Sequence, residues 1–127
     1  MNHIEATEEF IRNYFKDSIF VLVAGSVIRG EATITSDLDI FIIKNDIHKA
    51  YRESFFESDW PIEAFIHTQD SYKDYFMGDI KRRRPSLPQM CSEGIVIRDT
   101  MGLTSEIKDL ANGLLVNGPT PRQEEYQ

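Results

Sequence analysis

Val21-Leu-Val-Ala-Gly25-Ser26 and Asp37-Leu-Asp39-Ile-Phe-Ile-Ile43 are the two segments that decide the fold of this chain. The apolar run before Gly25 predicts a strand that is buried on both faces, and the run after Asp39 predicts a second. Gly25 permits a sharp turn of the backbone, and Ser26 is a good N-cap for a helical turn. Free N–H groups at such a turn attract anions. The first segment therefore predicts a strand that ends in a phosphate-binding turn.

The second segment opens with two carboxylates. Side chains alternate faces along a strand, so Asp37 and Asp39 point to one face while Leu38, Ile40 and Ile42 point to the other. Mg²⁺ prefers a few carboxylates together with phosphate oxygens and water. A pair of metal ions about 3.5–4 Å apart can hold both the attacking and the leaving oxygen of an in-line displacement. Together the segments predict a protein that binds a nucleoside triphosphate through Mg²⁺ and transfers part of it.

Other uses of an Asp-x-Asp pair fit less well. An EF-hand calcium loop needs a third ligand and a glycine in the next residues, but Phe41 and Ile42 stand there. Haloacid-dehalogenase phosphotransferases carry the pair at the end of a strand, whereas here it begins one. A solvated strand end without a ligand remains the alternative.

The segments also resemble a family signature. Its members share the pattern seen here as Gly25-Ser26, Arg29-Gly30 and Ser36-Asp37-Leu-Asp39. This pattern resembles the signature of the DNA polymerase β-like nucleotidyltransferase superfamily, and most of all its small bacterial branch of minimal and antibiotic nucleotidyltransferases.

The resemblance implies roles for these residues. Gly25 and Ser26 would hold the triphosphate, and Asp37 and Asp39 would bind two Mg²⁺ ions. Our hypothesis is that AMP is transferred from ATP, although the sequence does not identify the preferred nucleotide. Arg29 is three residues after Ser26, within reach of a bound phosphate; the alternative is a surface arginine that pairs with a neighbouring glutamate.

Active members of the superfamily carry a third carboxylate on a later strand. Residues 60–67 are predicted to form that strand, and Glu63 is the acidic residue inside it. Glu63 is therefore the candidate third metal ligand, or the general base for the acceptor hydroxyl. An exposed strand glutamate is the alternative. Asp59 is a weaker candidate because it precedes Pro61 in a turn, and His67, on the same face as Glu63, is interpreted as a packed residue.

The remaining pattern predicts an α+β nucleotidyltransferase fold. We expect a short mixed sheet with helices packed mainly on one face, against Leu38, Ile40 and Ile42, and the site on the other face. Helices are predicted over 4–16, 47–57, 69–83 and 103–116, and a last strand over 94–98. The basic run 81–84 ends the third helix, where cations offset the helix dipole. The alternative for this run is contact with the triphosphate or with an anionic acceptor.

Composition limits the partners. The chain has 127 residues with 14 Lys and Arg against 21 Asp and Glu, a net charge of −7. An acidic chain is a poor general binder of nucleic acid, because phosphate contacts dominate that affinity. The charge favours a cationic small molecule or a protein as the hydroxyl acceptor. One cysteine, no signal peptide and no apolar run of about 20 residues predict a cytoplasmic protein without a membrane segment.

The end of the chain predicts a second region. We expect a catalytic domain over 1–117, followed by a linker and the start of a helix over 118–127. Thr120-Pro-Arg-Gln123 has the form of a capping box, so we expect the natural chain to continue as a helical region. A separate helical partner could also complete the site. The alternative function is a non-catalytic or antitoxin-like module that acts by binding such a partner, but three carboxylate candidates favour an enzyme.

Overall fold

The fold is described from a computed structural model, which defines residues 2–25, 37–57 and 59–117. The predictions for Ser26, Arg29 and 118–127 lie outside these described residues. The described elements, in chain order, are α1 (His3–Tyr14), β1 (Phe20–Ala24), β2 (Leu38–Ile43), β3 (Tyr51–Glu57), β4 (Trp60–His67), α2 (Ser71–Lys81), α3 (Ser86–Glu93), β5 (Ile95–Asp99) and α4 (Thr104–Asn117).

The five strands form one mixed sheet in the order β3-β4-β2-β1-β5. Strands β2 and β4 run parallel, and the other neighbours are antiparallel. Every residue of β1 is buried, as is all of β2 except the partly buried Asp39. This burial is typical of central strands that are covered on both faces. The predicted α+β fold with a short mixed sheet is confirmed.

Helices cover the two faces unequally. Helix α1 packs on the face of Leu38, Ile40 and Ile42. Helices α2, α3 and α4 pack on the opposite face, against Phe41 and Ile43. The helices therefore lie mainly on one face, as predicted. The expected side was wrong, however, because alternation along β2 puts Asp39 on the same face as this three-helix layer.

The predicted helix over 47–57 was also wrong, since Tyr51–Glu57 is strand β3. Tyr51, Phe55 and Phe56 suggested one face of a helix. In the structure β3 pairs antiparallel with β4, with Glu57 opposite Trp60. Only two residues separate these strand ends, and so short a link favours a hairpin. Phe55 packs against the α1 core, while Phe56 is 74% exposed.

Helix α3 was not expected, because Pro85 and Pro88 were interpreted as interruptions. The helix begins directly after Pro85, and Pro88 lies in its first turn. Proline is tolerated there because the first N–H groups of a helix have no partner within it. At its other end, the Lys108 ammonium group donates to three backbone carbonyls at 2.8–3.1 Å. The first residues of α3 also line the cleft described below.

The other helices follow the sequence closely. Helix α1 begins with a capping box, in which Asn2 and Glu5 bond reciprocally through side chain and backbone. Thr68 Oγ1 accepts from the backbone N–H of Asp70 and Ser71 at the start of α2. Within the described ranges, no helix combines the length and the apolar character needed to cross a membrane.

Candidate active site

Gly25 brings the predicted phosphate turn against the predicted carboxylates. It follows β1, whose last residue Ala24 pairs with Asp39. Its backbone has φ of +113°, a conformation that favours glycine. A β-carbon at this position would lie 2.9 Å from the backbone oxygen of Asp37 and 3.5 Å from Asp39 Oδ2. The turn and the Asp pair therefore share one end of the sheet, with space between them that only glycine leaves open.

Glu63 occupies the corresponding place on the next strand. The parallel register of β2 and β4 puts Glu63 beside Asp39, so that both side chains leave the same face. Asp37 precedes β2 by one residue. The backbone thus gathers all three predicted carboxylate residues at one corner of the sheet. Their carboxylates are less close: among the described residues, no three His, Cys, Asp or Glu side chains form a group that could hold a metal ion.

Strand β3 holds the Glu63 carboxylate. Arg52 Nε donates to Oε1 at 2.9 Å, and Ser54 Oγ donates to Oε2 at 2.5 Å. These bonds, first that of Ser54 and then that of Arg52, lower the pKa of Glu63 below its usual value. The Arg52 guanidinium also lies 4.9 Å from the centre of the Phe65 ring. Glu63 is therefore ionised at neutral pH, and its carboxylate is bonded to β3 and not to β2.

A cleft of about 830 Å³ opens beside this corner, between the sheet and the α2–α3 connection. Its volume is within the range of small-molecule sites. The residues that line it come from the sheet end and from both helices, and include Gly25, Asp39, Arg52, Phe65, His67, Tyr75, Asp79, Arg82, Arg84 and Met90. Gly25 of the candidate phosphate turn and Asp39, one of the candidate metal ligands, thus face a cavity large enough for a nucleotide.

The basic run at the end of α2 reaches this cleft through Arg82 and Arg84. Arg82 forms an ion pair with Asp79 at 2.7 Å. Asp79 in turn accepts from the backbone N–H of Leu87 at 3.0 Å, which ties the start of α3 to α2. The Arg84 guanidinium forms no ion pair with any residue that the structure describes. The run therefore brings two cations to the cleft that Asp39 also lines, and one of them, Arg82, is paired with Asp79.

His67 forms part of the cleft floor. It is 3% exposed, its Nδ1 lies 2.8 Å from Ser71 Oγ, and its ring contacts the rings of Phe41 and Tyr75. Burial lowers the pKa of His67 to about 4, although the nearby Asp79 charge works in the opposite direction. The imidazole is therefore neutral at neutral pH, as suits a packed residue.

Sequence reasoning missed Arg52 and Ser54, because both lie in the segment interpreted as a helix. No local signal marks them, because Arg52, Glu53 and Ser54 are all polar and the segment lacks the alternation of a half-buried strand. Asp79 was missed for another reason: its contacts depend on how the start of α3 folds back onto α2.

Comparison with known proteins identifies the fold and the family. The solved structure of a nucleotidyltransferase-like protein from Exiguobacterium sibiricum 255-15 matches with a TM-score of 0.63 and 10% sequence identity. The match covers 87% of this chain but 39% of that one, and at this identity it shows the fold alone. No protein of curated function matches the sequence. The profile of the nucleotidyltransferase domain matches residues 4–90, which span β1 to β4 and α2. Because this match covers more than half of its length, the chain belongs to the nucleotidyltransferase domain family.

Proposed function

We propose that this protein is a Mg²⁺-dependent nucleotidyltransferase that transfers AMP from ATP to a hydroxyl group and releases pyrophosphate. Membership of the nucleotidyltransferase domain family supports the general reaction. The observation that carries the finer proposal is the meeting of Gly25 with Asp39, and of Asp39 with Glu63, at one end of the sheet. The acceptor is a small molecule or a protein, in keeping with the net charge of −7.

Asp37, Asp39 and Glu63 are the residues that would hold the metal. The donor set fits Mg²⁺, because carboxylates on two paired strands offer hard oxygen ligands beside the glycine turn. When bound, Mg²⁺ supplies positive charge to the triphosphate and to the attacking oxygen.

The glycine turn and the arginines would bind the phosphates. Gly25 leaves room for a phosphate oxygen beside Asp39, since it carries no β-carbon. Ser26 and Arg29 follow Gly25 in the sequence and are assigned to the triphosphate by the family pattern. Arg84, which also lines the cleft, would meet the end of the triphosphate or an anionic group of the acceptor.

In the reaction, a bond forms between the acceptor oxygen and the α-phosphorus while the bond from that phosphorus to pyrophosphate breaks. The acceptor proton leaves to a base or to water. The lowered pKa of Glu63 makes it a weak base, because a general base works best with a pKa near the working pH. Its charge therefore favours the role of metal ligand over that of general base.

Thermal-shift titration with ATP, CTP, GTP and UTP, each with and without Mg²⁺, tests this proposal. We expect a Mg²⁺-dependent rise in melting temperature that is largest for ATP and is lost in Asp37→Asn and Asp39→Asn. Asp109→Asn is the matched control, because Asp109 is an exposed residue of α4 remote from the cleft. Incubation with ATP labelled at the α-phosphate then tests candidate acceptors. Unchanged nucleotide affinity in Asp39→Asn would contradict the assigned site.

One observation favours a second function, a non-catalytic module that binds a helical partner protein. The Glu63 carboxylate bonds to β3 and is not grouped with the Asp pair. If this arrangement persists with nucleotide, the site lacks its third ligand. The two functions differ in the titration above: the module is expected to show no Mg²⁺-dependent shift and no transfer of label.

A further inference from the structure

The backbone of Glu63 pairs with Asp39, but its carboxylate bonds to the strand on the other side. Its backbone lies between Asp39 on one side and Ser54 on the other. Both described hydrogen bonds of the carboxylate go to β3, to Arg52 and Ser54, on the side away from Asp39. The Glu63 carboxylate is thus held towards β3, although the register of β4 on β2 would also allow it to lie beside Asp39.

Arg52 holds this carboxylate weakly. It lies on the edge strand β3, and its side chain is 65% exposed against 24% for Glu63. Exposed ion pairs contribute little to stability, since water screens both charges. A divalent cation between Glu63 and Asp39 would meet two carboxylates at once, and Arg52 has only one. The pair is therefore suited to exchange.

We propose that Arg52, together with Ser54, holds Glu63 in the metal-free protein and is exchanged for the divalent cation when metal binds. This inference rests on the proposed function, which assigns Glu63 to the metal site. Arg52 already lines the cleft. Once it separates from Glu63, its guanidinium is free to contact the triphosphate that the proposed function assigns to this cleft. Arg52 is thus a positioning residue that couples metal binding to the charge of the cleft.

The exchange is tested by titrating the 127-residue chain with Mn²⁺ alone. The EPR signal of unbound Mn²⁺ measures how much of the ion remains free. We expect Arg52→Gln to bind Mn²⁺ about two- to fivefold more tightly, because the competing ion pair is gone. Ser54→Ala should tighten binding about two- to tenfold, in line with the loss of one hydrogen bond. Ser54→Ala changes no charge, so its effect reports the held carboxylate and not the general field.

Arg82→Gln is the charge-matched control, because Arg82 lines the same cleft but pairs with Asp79. Its effect on Mn²⁺ affinity should be smaller than that of Arg52→Gln. Melting temperatures without metal will show whether each variant is folded.

The outcomes separate the two proposals. If the wild type binds Mn²⁺ but Arg52→Gln or Ser54→Ala shows no gain, or if Arg82→Gln gains as much, the exchange is refuted and the proposed function stands. If neither the wild type nor Arg52→Gln binds Mn²⁺, both the exchange and the metal site are refuted. Binding by Arg52→Gln alone would support the exchange in its strongest form.

Discussion

Lowering the pH is expected to destabilise this protein through one buried histidine. The side chain of His67 is 3% exposed, and burial lowers its pKa to about 4 from the ordinary 6.5. Below pH 6.5 the unfolded chain binds a proton at this residue that the folded chain does not bind. The free energy of unfolding therefore falls as the pH drops from 6.5 towards 4. Above pH 6.5 His67 is neutral in both states, and it no longer lowers the stability of the folded chain.

The size of the effect follows from the two pKa values. Each pH unit between them changes the free energy of unfolding by about 1.4 kcal/mol. Integrated over the titration, the loss is about 2 kcal/mol at about pH 5 and about 3 kcal/mol at about pH 4. The pKa values of Glu63, Asp99 and Glu106 are also lowered. Since these carboxylates take up protons mainly below about pH 5, the histidine is best measured above that value.

Urea unfolding at intervals from about pH 7.5 to about pH 5 is the assay. The wild type should lose about 2 kcal/mol over this range. His67→Gln should lose much less, because no buried imidazole remains to titrate. His48→Gln is the matched control: His48 is exposed, and its removal should leave the slope unchanged. Parallel curves for the wild type and His67→Gln would refute the reasoning.

Three further substitutions test the packing around the site. Gly25→Ala should lower stability by about 1–3 kcal/mol in urea unfolding, since a β-carbon at φ +113° would meet the Asp37 carbonyl at 2.9 Å; an unchanged midpoint would contradict this. Gly94→Ala should have a comparable cost in the same assay, because its β-carbon would lie 2.2 Å from Leu22 Cδ2, and a wild-type midpoint would again be inconsistent. Lys108→Met should lower the melting temperature, because three carbonyls at the end of α3 lose their donor. The expected loss in the free energy of unfolding is about 1–3 kcal/mol. Equal melting temperatures would show that water replaces the ammonium group.

The core of the fold was predictable from local pattern. The buried strands β1 and β2, the turn at Gly25 and the Asp37–Asp39 pair depend on residue type and on the two-residue period of a strand. The same period put Glu63 on the correct strand, and the register then set it beside Asp39.

Prediction failed where two periods fit the same residues. Tyr51, Phe55 and Phe56 have the spacing of a helix face, and pairing with β4 decided for the strand. Because that pairing depends on a segment later in the chain, local propensity could not reveal it. The unexpected helix α3 has a similar cause: its two prolines are compatible with a first helical turn as well as with a break.

The sequence by itself determined which residues form the candidate site: a glycine turn, an Asp pair and a glutamate, in a spacing that fits a strand. Only the tertiary structure decided which cations meet them. The register of β3 on β4 brought Arg52 to Glu63, and the packing of α2 brought Arg82 and Arg84 to the cleft. The physical reason is that carboxylates on one strand are set by alternation, whereas contacts between distant segments depend on how whole elements pack.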